Sequence, residues 1–90
     1  MSAPPGSLHI LYFAWLRERI GRSEEYVTLP ADIADVAGLI AWLRRQSPGH
    51  EAAFGPGATI RCAVNQDFAA RDAAIRPGDE IAFFPPVTGG

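Results

Sequence analysis

The sequence predicts an α+β roll, a mixed sheet of four to five strands with one main helix and a short second helix. Three observations carry that expectation. Leu8–Phe13 and Glu80–Phe84 are short runs of strand formers near the two ends of the chain. Only the middle of the chain has a strong helical period, with Val36, Leu39, Ile40 and Leu43 spaced i, i+3, i+4 and i+7. Proline, glycine and short polar clusters punctuate the remainder. Ninety residues suit one domain.

The elements follow in chain order. Leu8-His9-Ile10-Leu11-Tyr12-Phe13 has the composition of a strand buried on both faces. Between Ala14 and Ile20, Leu16 and Ile20 fall at i, i+4 and Gly21 is placed to end a short helix. Glu24–Leu29 is a second strand, closed by Pro30. Asp35 can cap the main helix, and Arg44 and Arg45 in its last turn would complement the helix dipole. Gly38, unfavourable by about 1 kcal/mol in a helix interior, suggests close packing on the sheet. Ser47-Pro48-Gly49 stops the helix, and Glu51–Ala58 has the composition of a loop.

Ile60, Cys62 and Val64 alternate with Arg61 and Ala63 as in a half-buried strand. Asn65-Gln66-Asp67 supplies turn residues, and a weaker stretch, Phe68–Ile75, is the candidate short strand. Arg76-Pro77-Gly78-Asp79 predicts a tight turn, proline presetting one φ and glycine accepting a positive one. In Glu80–Phe84, Ile81 and Phe83 share one face and Ala82 and Phe84 the other. The expected organisation is an extension over 1–7, a domain over 8–84 and an extended tail over 85–90.

Composition narrows the function classes. A net charge of −2 gives no basic stripe for nucleic acid. No apolar run approaches the ~18 residues of a membrane span, and Met1–Ser7 has no basic, apolar leader. A cytoplasmic, membrane-free protein is therefore expected. One cysteine and two histidines supply neither an internal disulfide nor a ligand-spaced metal site. All eight basic residues are arginines.

The last residues are the most informative. After Phe84 come Pro85, Pro86, Val87, Thr88, Gly89 and Gly90. Two prolines end a sheet ladder and favour a stiff polyproline segment. Six residues at ~3.3 Å each reach about 20 Å, enough to enter a partner's active site. Prolines reduce the ordering cost of ~1–2 kcal/mol per residue. Gly89 and Gly90, lacking side chains, can thread a narrow channel and present a terminal carboxylate. Joined to AMP, that carboxylate becomes an anhydride that a sulfur nucleophile can attack.

The ending Phe83-Phe84-Pro85-Pro86-Val87-Thr88-Gly89-Gly90, preceded by Gly78-Asp79-Glu80, resembles the sulfur-carrier family that includes the small subunit of molybdopterin synthase. Tyr12-Phe13-Ala14-Trp15-Leu16-Arg17-Glu18 and Ala63-Val64-Asn65-Gln66 resemble the same family less specifically, and the similarity spans roughly Leu8 to Gly90. The resemblance implies a ubiquitin-like β-grasp fold. It implies that an ATP-using, E1-like enzyme adenylates Gly90 and that a sulfurtransferase donor converts it to a thiocarboxylate. The tail then delivers sulfur to a cyclic pyranopterin precursor in the large synthase subunit, in an assembly of two small and two large subunits. Gly90 carries the sulfur, while Gly89, Thr88, Val87, Pro86 and Pro85 present it. No cofactor or metal is expected on this chain, and the acid, base and pterin pocket are expected on the large subunit.

Phe84, beside the tail, is the expected partner anchor. Cys62, in phase with Ile60 and Val64, reads as core. His9 in a strand and His50 in a loop read as structural or solvated residues, Arg17 and Glu18 as a solvated face, and Trp15 and Trp42 as packing residues. Two other functions share these features: a carrier for thiamine, tRNA thiolation or amino-acid synthesis, and a ubiquitin-like modifier. A chain without lysine cannot build lysine-linked polymers on itself.

Overall fold

A computed structural model describes residues 6–86. The element order is β1 (Ser7–Tyr12), α1 (Trp15–Ile20), β2 (Glu24–Thr28), α2 (Val36–Leu43), α3 (Pro48–Phe54), β3 (Arg61–Val64), β4 (Asp67–Ala69) and β5 (Glu80–Phe84). The five strands form one sheet in the order β2-β1-β5-β3-β4. β1 and β5 run parallel at its centre and every other pairing is antiparallel. This is the β-grasp arrangement: the strands nearest the two ends of the chain lie side by side, and the helices cover one face.

The core follows from alternation along the strands. Leu8, Ile10 and Tyr12 of β1, Ile81 and Phe83 of β5, and Ile60 and Cys62 at β3 share a cluster with Leu16 of α1, Val36, Leu39, Ile40 and Leu43 of α2, and Ala53 and Phe54 of α3. Phe54 meets Phe83 edge to face at a centroid distance of 4.9 Å. Cys62 is buried in that cluster, its thiol donating to the Ala69 carbonyl at 3.3 Å.

Local chemistry sets the turns. Asp35 caps α2, accepting from the Gly38 amide at 2.8 Å. A Cβ on Gly38 would meet that Asp35 carboxylate at 3.2 Å and Ile33 at 3.4 Å. The glycine therefore accommodates its own cap rather than the sheet. Asn65 and Gln66, with φ of 51° and 73°, form the two-residue β3–β4 loop with positive φ at both positions. The Asn65 side chain ties this loop to the Arg76–Asp79 turn, donating to Asp79 Oδ1 and accepting from the Glu80 amide, both at 3.0 Å. In that turn Gly78 takes the positive φ, 95°, and the Asp79 amide closes onto the Arg76 carbonyl at 3.1 Å.

Three expectations need correction. Pro48–Phe54 is a third helix, where the glycine- and proline-rich composition of 51–58 predicted a loop. Ser47 caps it, accepting from the His50 amide at 3.1 Å, and Pro48 occupies the first turn, where its missing N–H costs nothing. Ser47-Pro48-Gly49 thus ends one helix and begins the next. Arg44 and Arg45 lie beyond the last turn of α2, with Arg44 as its C-cap. The Arg44 guanidinium instead pairs with Glu51 of α3, Nε and Nη2 donating to the two carboxylate oxygens at 3.0 and 2.9 Å. His50 stands in α3, not in a loop, and is buried.

α3 is anchored to the sheet through polar groups at the edge of the core. Tyr12 donates its hydroxyl to Glu25 Oε2 at 2.5 Å, and His50 Nε2 lies 2.8 Å from the same oxygen. His50 Nδ1 lies 2.7 Å from the Ser47 hydroxyl, and Arg22 donates to Glu25 Oε1 at 3.3 Å. The set closes when the imidazole proton is on Nε2, the Ser47 hydroxyl donating to Nδ1 while accepting from the His50 amide. Ser47, His50 and Glu25 therefore form a structural tether, with Ser47 committed as a helix cap.

Burial pushes the Glu25 carboxyl upward, but the hydrogen bonds from Tyr12 and His50, with the positive charge of Arg22, hold it below the ordinary glutamate value. The unfolded chain then binds the proton more tightly. The stabilisation is complete above the ordinary glutamate range and is lost as pH falls through the folded-state value. Glu25→Gln is expected to flatten the acid limb of a stability–pH profile measured by urea unfolding. An acid limb identical to that of the unaltered chain would remove this assignment.

Candidate functional site

The parallel pairing of β5 with β1 sets the exit point of the tail. His9↔Glu80 through Tyr12↔Phe83 are in register, so β5 runs out at the end of the sheet where β1 turns into α1. On the other side Arg61 pairs with Phe84, so β3 begins where β5 ends. Pro85 and Pro86 continue beyond the strand and are half-buried. Val87, Thr88, Gly89 and Gly90, which carry most of the expected site, lie outside the described residues.

Around that exit the helix-free face of the sheet is apolar. The register aligns Phe68, Ala63, Ala82 and Leu11 in one row across four strands. Phe84 stands in the next row, opposite Arg61. Ala63 and Ala82 are buried although no helix covers them, because their larger neighbours flank them. Phe84 is half-buried, its ring centroid 5.9 Å from that of Phe68. Phe68 is 84% exposed, the most exposed large apolar side chain among the described residues. The aromatic anchor beside the tail is thus a pair. Sequence reasoning found Phe84 and missed Phe68, although two-residue alternation from the Asn65-Gln66 loop would have set Phe68 across from Ala63.

A second exposed aromatic borders the exit. Phe13, 48% exposed, donates its amide to the Phe83 carbonyl at 3.1 Å and follows directly on the Tyr12–Phe83 register. Ala14 then adopts φ 57° and ψ −132° at the start of the tight turn into α1. That conformation favours glycine and costs an alanine about 1–3 kcal/mol. Trp15 packs against the core with the Arg19 guanidinium 4.5 Å from its ring centroid, while Arg17 and Glu18 are exposed. His9 stacks on Tyr26 at 4.4 Å and approaches Glu24 at 2.6 Å, far from the exit on the β2 edge.

A cavity of about 280 Å³ opens between β3 and β4, with Arg61, Phe68 and Arg71 among its walls and Cys62 within it. Burial raises the Cys62 thiol pKa, with the Arg71 charge opposing. That thiol is a poor nucleophile near neutral pH. Among the described residues no group of three or more His, Cys, Asp or Glu gathers for a metal, and no helix is long and apolar enough to cross a membrane.

This β-grasp chain has known relatives. The sequence profile of the ThiS family matches residues 10–90, from β1 through the final glycine. The chain belongs to the ThiS family. It is 39% identical over 83 residues to the molybdopterin synthase sulfur carrier subunit of Escherichia coli, covering 92% of this chain and 99% of that one. The subunit of the same name from Haemophilus influenzae is 37% identical, with the same coverage. Among solved structures, the Haloferax volcanii small archaeal modifier protein 1 superposes with a TM-score of 0.75 at 31% identity, covering 91% of this chain and 99% of that one. As a ThiS-family chain it shares the fold of carriers that work as one part of a larger reaction.

Proposed function

We propose that this chain is the sulfur-carrier small subunit of a molybdopterin synthase. The observation that carries the reading is the sequence Pro85-Pro86-Val87-Thr88-Gly89-Gly90 following a β5 that ends beside an aromatic pair, in a ThiS-family chain 39% identical to a protein of that name. The chemistry follows from the terminal carboxylate. An E1-like enzyme transfers AMP from ATP to Gly90 and releases pyrophosphate. A hydrosulfide equivalent released from a sulfurtransferase donor then attacks the carbonyl carbon, AMP leaves, and a thiocarboxylate remains. In the large synthase subunit that sulfur passes to the cyclic pyranopterin precursor, and two loaded carriers supply the two sulfurs of the dithiolene.

This chain's own contribution is presentation. Gly89 and Gly90 remove side chains from the path, Val87 and Thr88 extend it, and Pro85 and Pro86 stiffen its base. The large subunit supplies acid, base and pterin pocket, in an assembly of two small and two large subunits in the cytoplasm. ATP is bound by the activating enzyme, and this chain holds no cofactor of its own.

Mass spectrometry of the chain co-expressed with its activating enzyme and sulfur donor tests the reading. The expected product is heavier by the difference between sulfur and oxygen, on the fragment containing Gly90. An unmodified carboxylate under those conditions would overturn it. The likeness to the archaeal modifier keeps one other outcome in view, since a modifier would appear as isopeptide conjugates on other proteins' lysines.

The aromatic pair is the docking surface in this reading. Phe68→Ala is expected to weaken binding to the large subunit at least about tenfold, because exposed aromatics that become buried dominate interfaces. Its unfolding midpoint should not move, since the ring contributes little to the core. Phe84→Ala is expected to act in the same direction. Calorimetric titration reads both, and wild-type affinity in both variants would eliminate this surface.

A further inference from the structure

We infer that the cavity between β3 and β4 is a carboxylate-recognition site, in which Arg61 and Arg71 receive an Asp or Glu side chain of the protein that docks on Phe68 and Phe84. The inference rests on the sulfur-carrier reading, in which that partner is the large synthase subunit. It adds a charge requirement to the aromatic pair: the partner's apolar patch carries an acidic residue at its side. Position follows from the register. Arg61 stands directly opposite Phe84 in the β3–β5 pairing. Directly opposed residues have Cβ atoms about 4.5–5.5 Å apart on one face, so the Arg61 stem begins beside the Phe84 side chain. Phe68, whose ring centroid is 5.9 Å from that of Phe84, also forms a wall of the cavity. A partner seated on the two rings therefore borders the cavity as well.

Charge selects the occupant. Arg61 is exposed and makes no side-chain hydrogen bond or ion pair with the described residues. Arg71 donates from Nη2 to the Ile60 carbonyl at 3.2 Å and keeps its other donors. Elsewhere the arginines are engaged within the chain: Arg22 pairs with Glu25, Arg44 with Glu51, and Arg19 lies over the Trp15 ring. No acidic side chain lines the cavity. In a chain of net charge −2, two guanidinium groups thus share one cavity without an internal anion, and an anion from outside relieves their repulsion. A carboxylate matches the guanidinium fork with two parallel hydrogen bonds.

Size favours a side chain over a free ligand. The cavity holds about 280 Å³, below the ~300–1,000 Å³ typical of sites that enclose small molecules. A carboxylate on a short stem fits within it. Carried in by a protein already held on the aromatic rings, that group gives up little further freedom on binding. The rings supply most of the affinity, and the arginines set the orientation and reject partners without the acidic residue.

The test is association of the full chain with the large synthase subunit of the same organism, followed at low and high salt. Arg61→Gln is expected to weaken binding about tenfold at low salt and to lose most of that deficit at high salt, where screening removes the contribution from the unaltered chain too. Phe68→Ala should be equally impaired at both. Urea unfolding of Arg61→Gln should match the unaltered chain, since the position is exposed. The absence of lysine allows a direct readout. Arg61→Lys places a single ε-amine beside the cavity, and carbodiimide should couple it to an Asp or Glu of the large subunit, located by mass spectrometry. Arg45→Lys, exposed after α2, should give no such product. Unaltered affinity of Arg61→Gln at low salt would overturn the inference, as would a deficit of equal size at both salts or the absence of the coupled peptide from Arg61→Lys. Each of these removes the inference alone and leaves the carrier reading standing. An unaltered chain that does not bind the large subunit removes both.

Discussion

A chain lacking Gly90, or carrying one residue after it, is expected to lose dithiolene synthesis while unfolding at the unaltered temperature. The reaction occurs at a single carbon, and each residue of an extended chain advances it by about 3.3–3.6 Å. Displacement of a reacting atom by even ~1 Å can cost about a hundredfold in rate, so a whole residue should reduce turnover by more than that. An added residue also replaces the carboxylate by an amide, which no longer reacts with ATP. Neither change touches the core, whose last buried residue among those described is Phe83. Product formation in a reconstituted assay with the activating enzyme, sulfur donor and large subunit reads the first effect, and calorimetric melting the second. Normal dithiolene yield from either variant would show that the sulfur travels elsewhere.

Gly49→Ala is expected to be the most destabilising conservative change in the domain. Gly49 lies in the first turn of α3, where the helix crosses the end of α1. A Cβ there would overlap the Arg19 carbonyl oxygen and stand 3.2 Å from the Ile20 Cα. These are backbone atoms, so no rotamer relieves the overlap. Helix propensity favours alanine by about 1 kcal/mol, most of it glycine's greater freedom in the unfolded chain.

The overlap outweighs this gain. To make room, α3 must withdraw from α1, loosening His50 from Glu25 and Phe54 from Phe83. A net loss of about 2–3 kcal/mol, or roughly 10–20 °C in melting temperature, is expected. Gly57→Ala serves as a contrast. Its added Cβ meets nothing within 4 Å, and the cost is confined to a φ of +86°. Should Gly49→Ala melt at or above the unaltered chain, the close α1–α3 approach described here is wrong.

The tether between α3 and the sheet shows why the third helix escaped a reading of composition. The segment 48–54 has proline and glycine in its first turn and no full apolar period. Its helicity rests on the Ser47 cap, on Pro48 at a position that tolerates it, and on burial of His50, Ala53 and Phe54. A seven-residue helix is too short to be stable on propensity alone. Its partners, Glu25 and Phe83, are 25 and 29 residues from His50 and Phe54 in sequence. Phe68 was missed for a related reason. Its exposure depends on the register of β4 against β3, and β4 is only three residues long.

By itself the sequence determined the features whose causes are local. These are the strands of five or six residues, the Asp35 cap and apolar stripe of α2, a turn at Asn65-Gln66, the positive φ of Gly78, and the diproline ending in Gly-Gly. Each depends on side chains within a few positions of one another, acting on their own backbone. Tertiary structure decided that β1 and β5 lie parallel, that α3 is a helix held by the half-buried Glu25 carboxylate, and that Phe68 joins Phe84 beside the end of β5. Those outcomes depend on groups brought together only after the chain closes loops of tens of residues, and local pattern contains no record of which distant partner will be there.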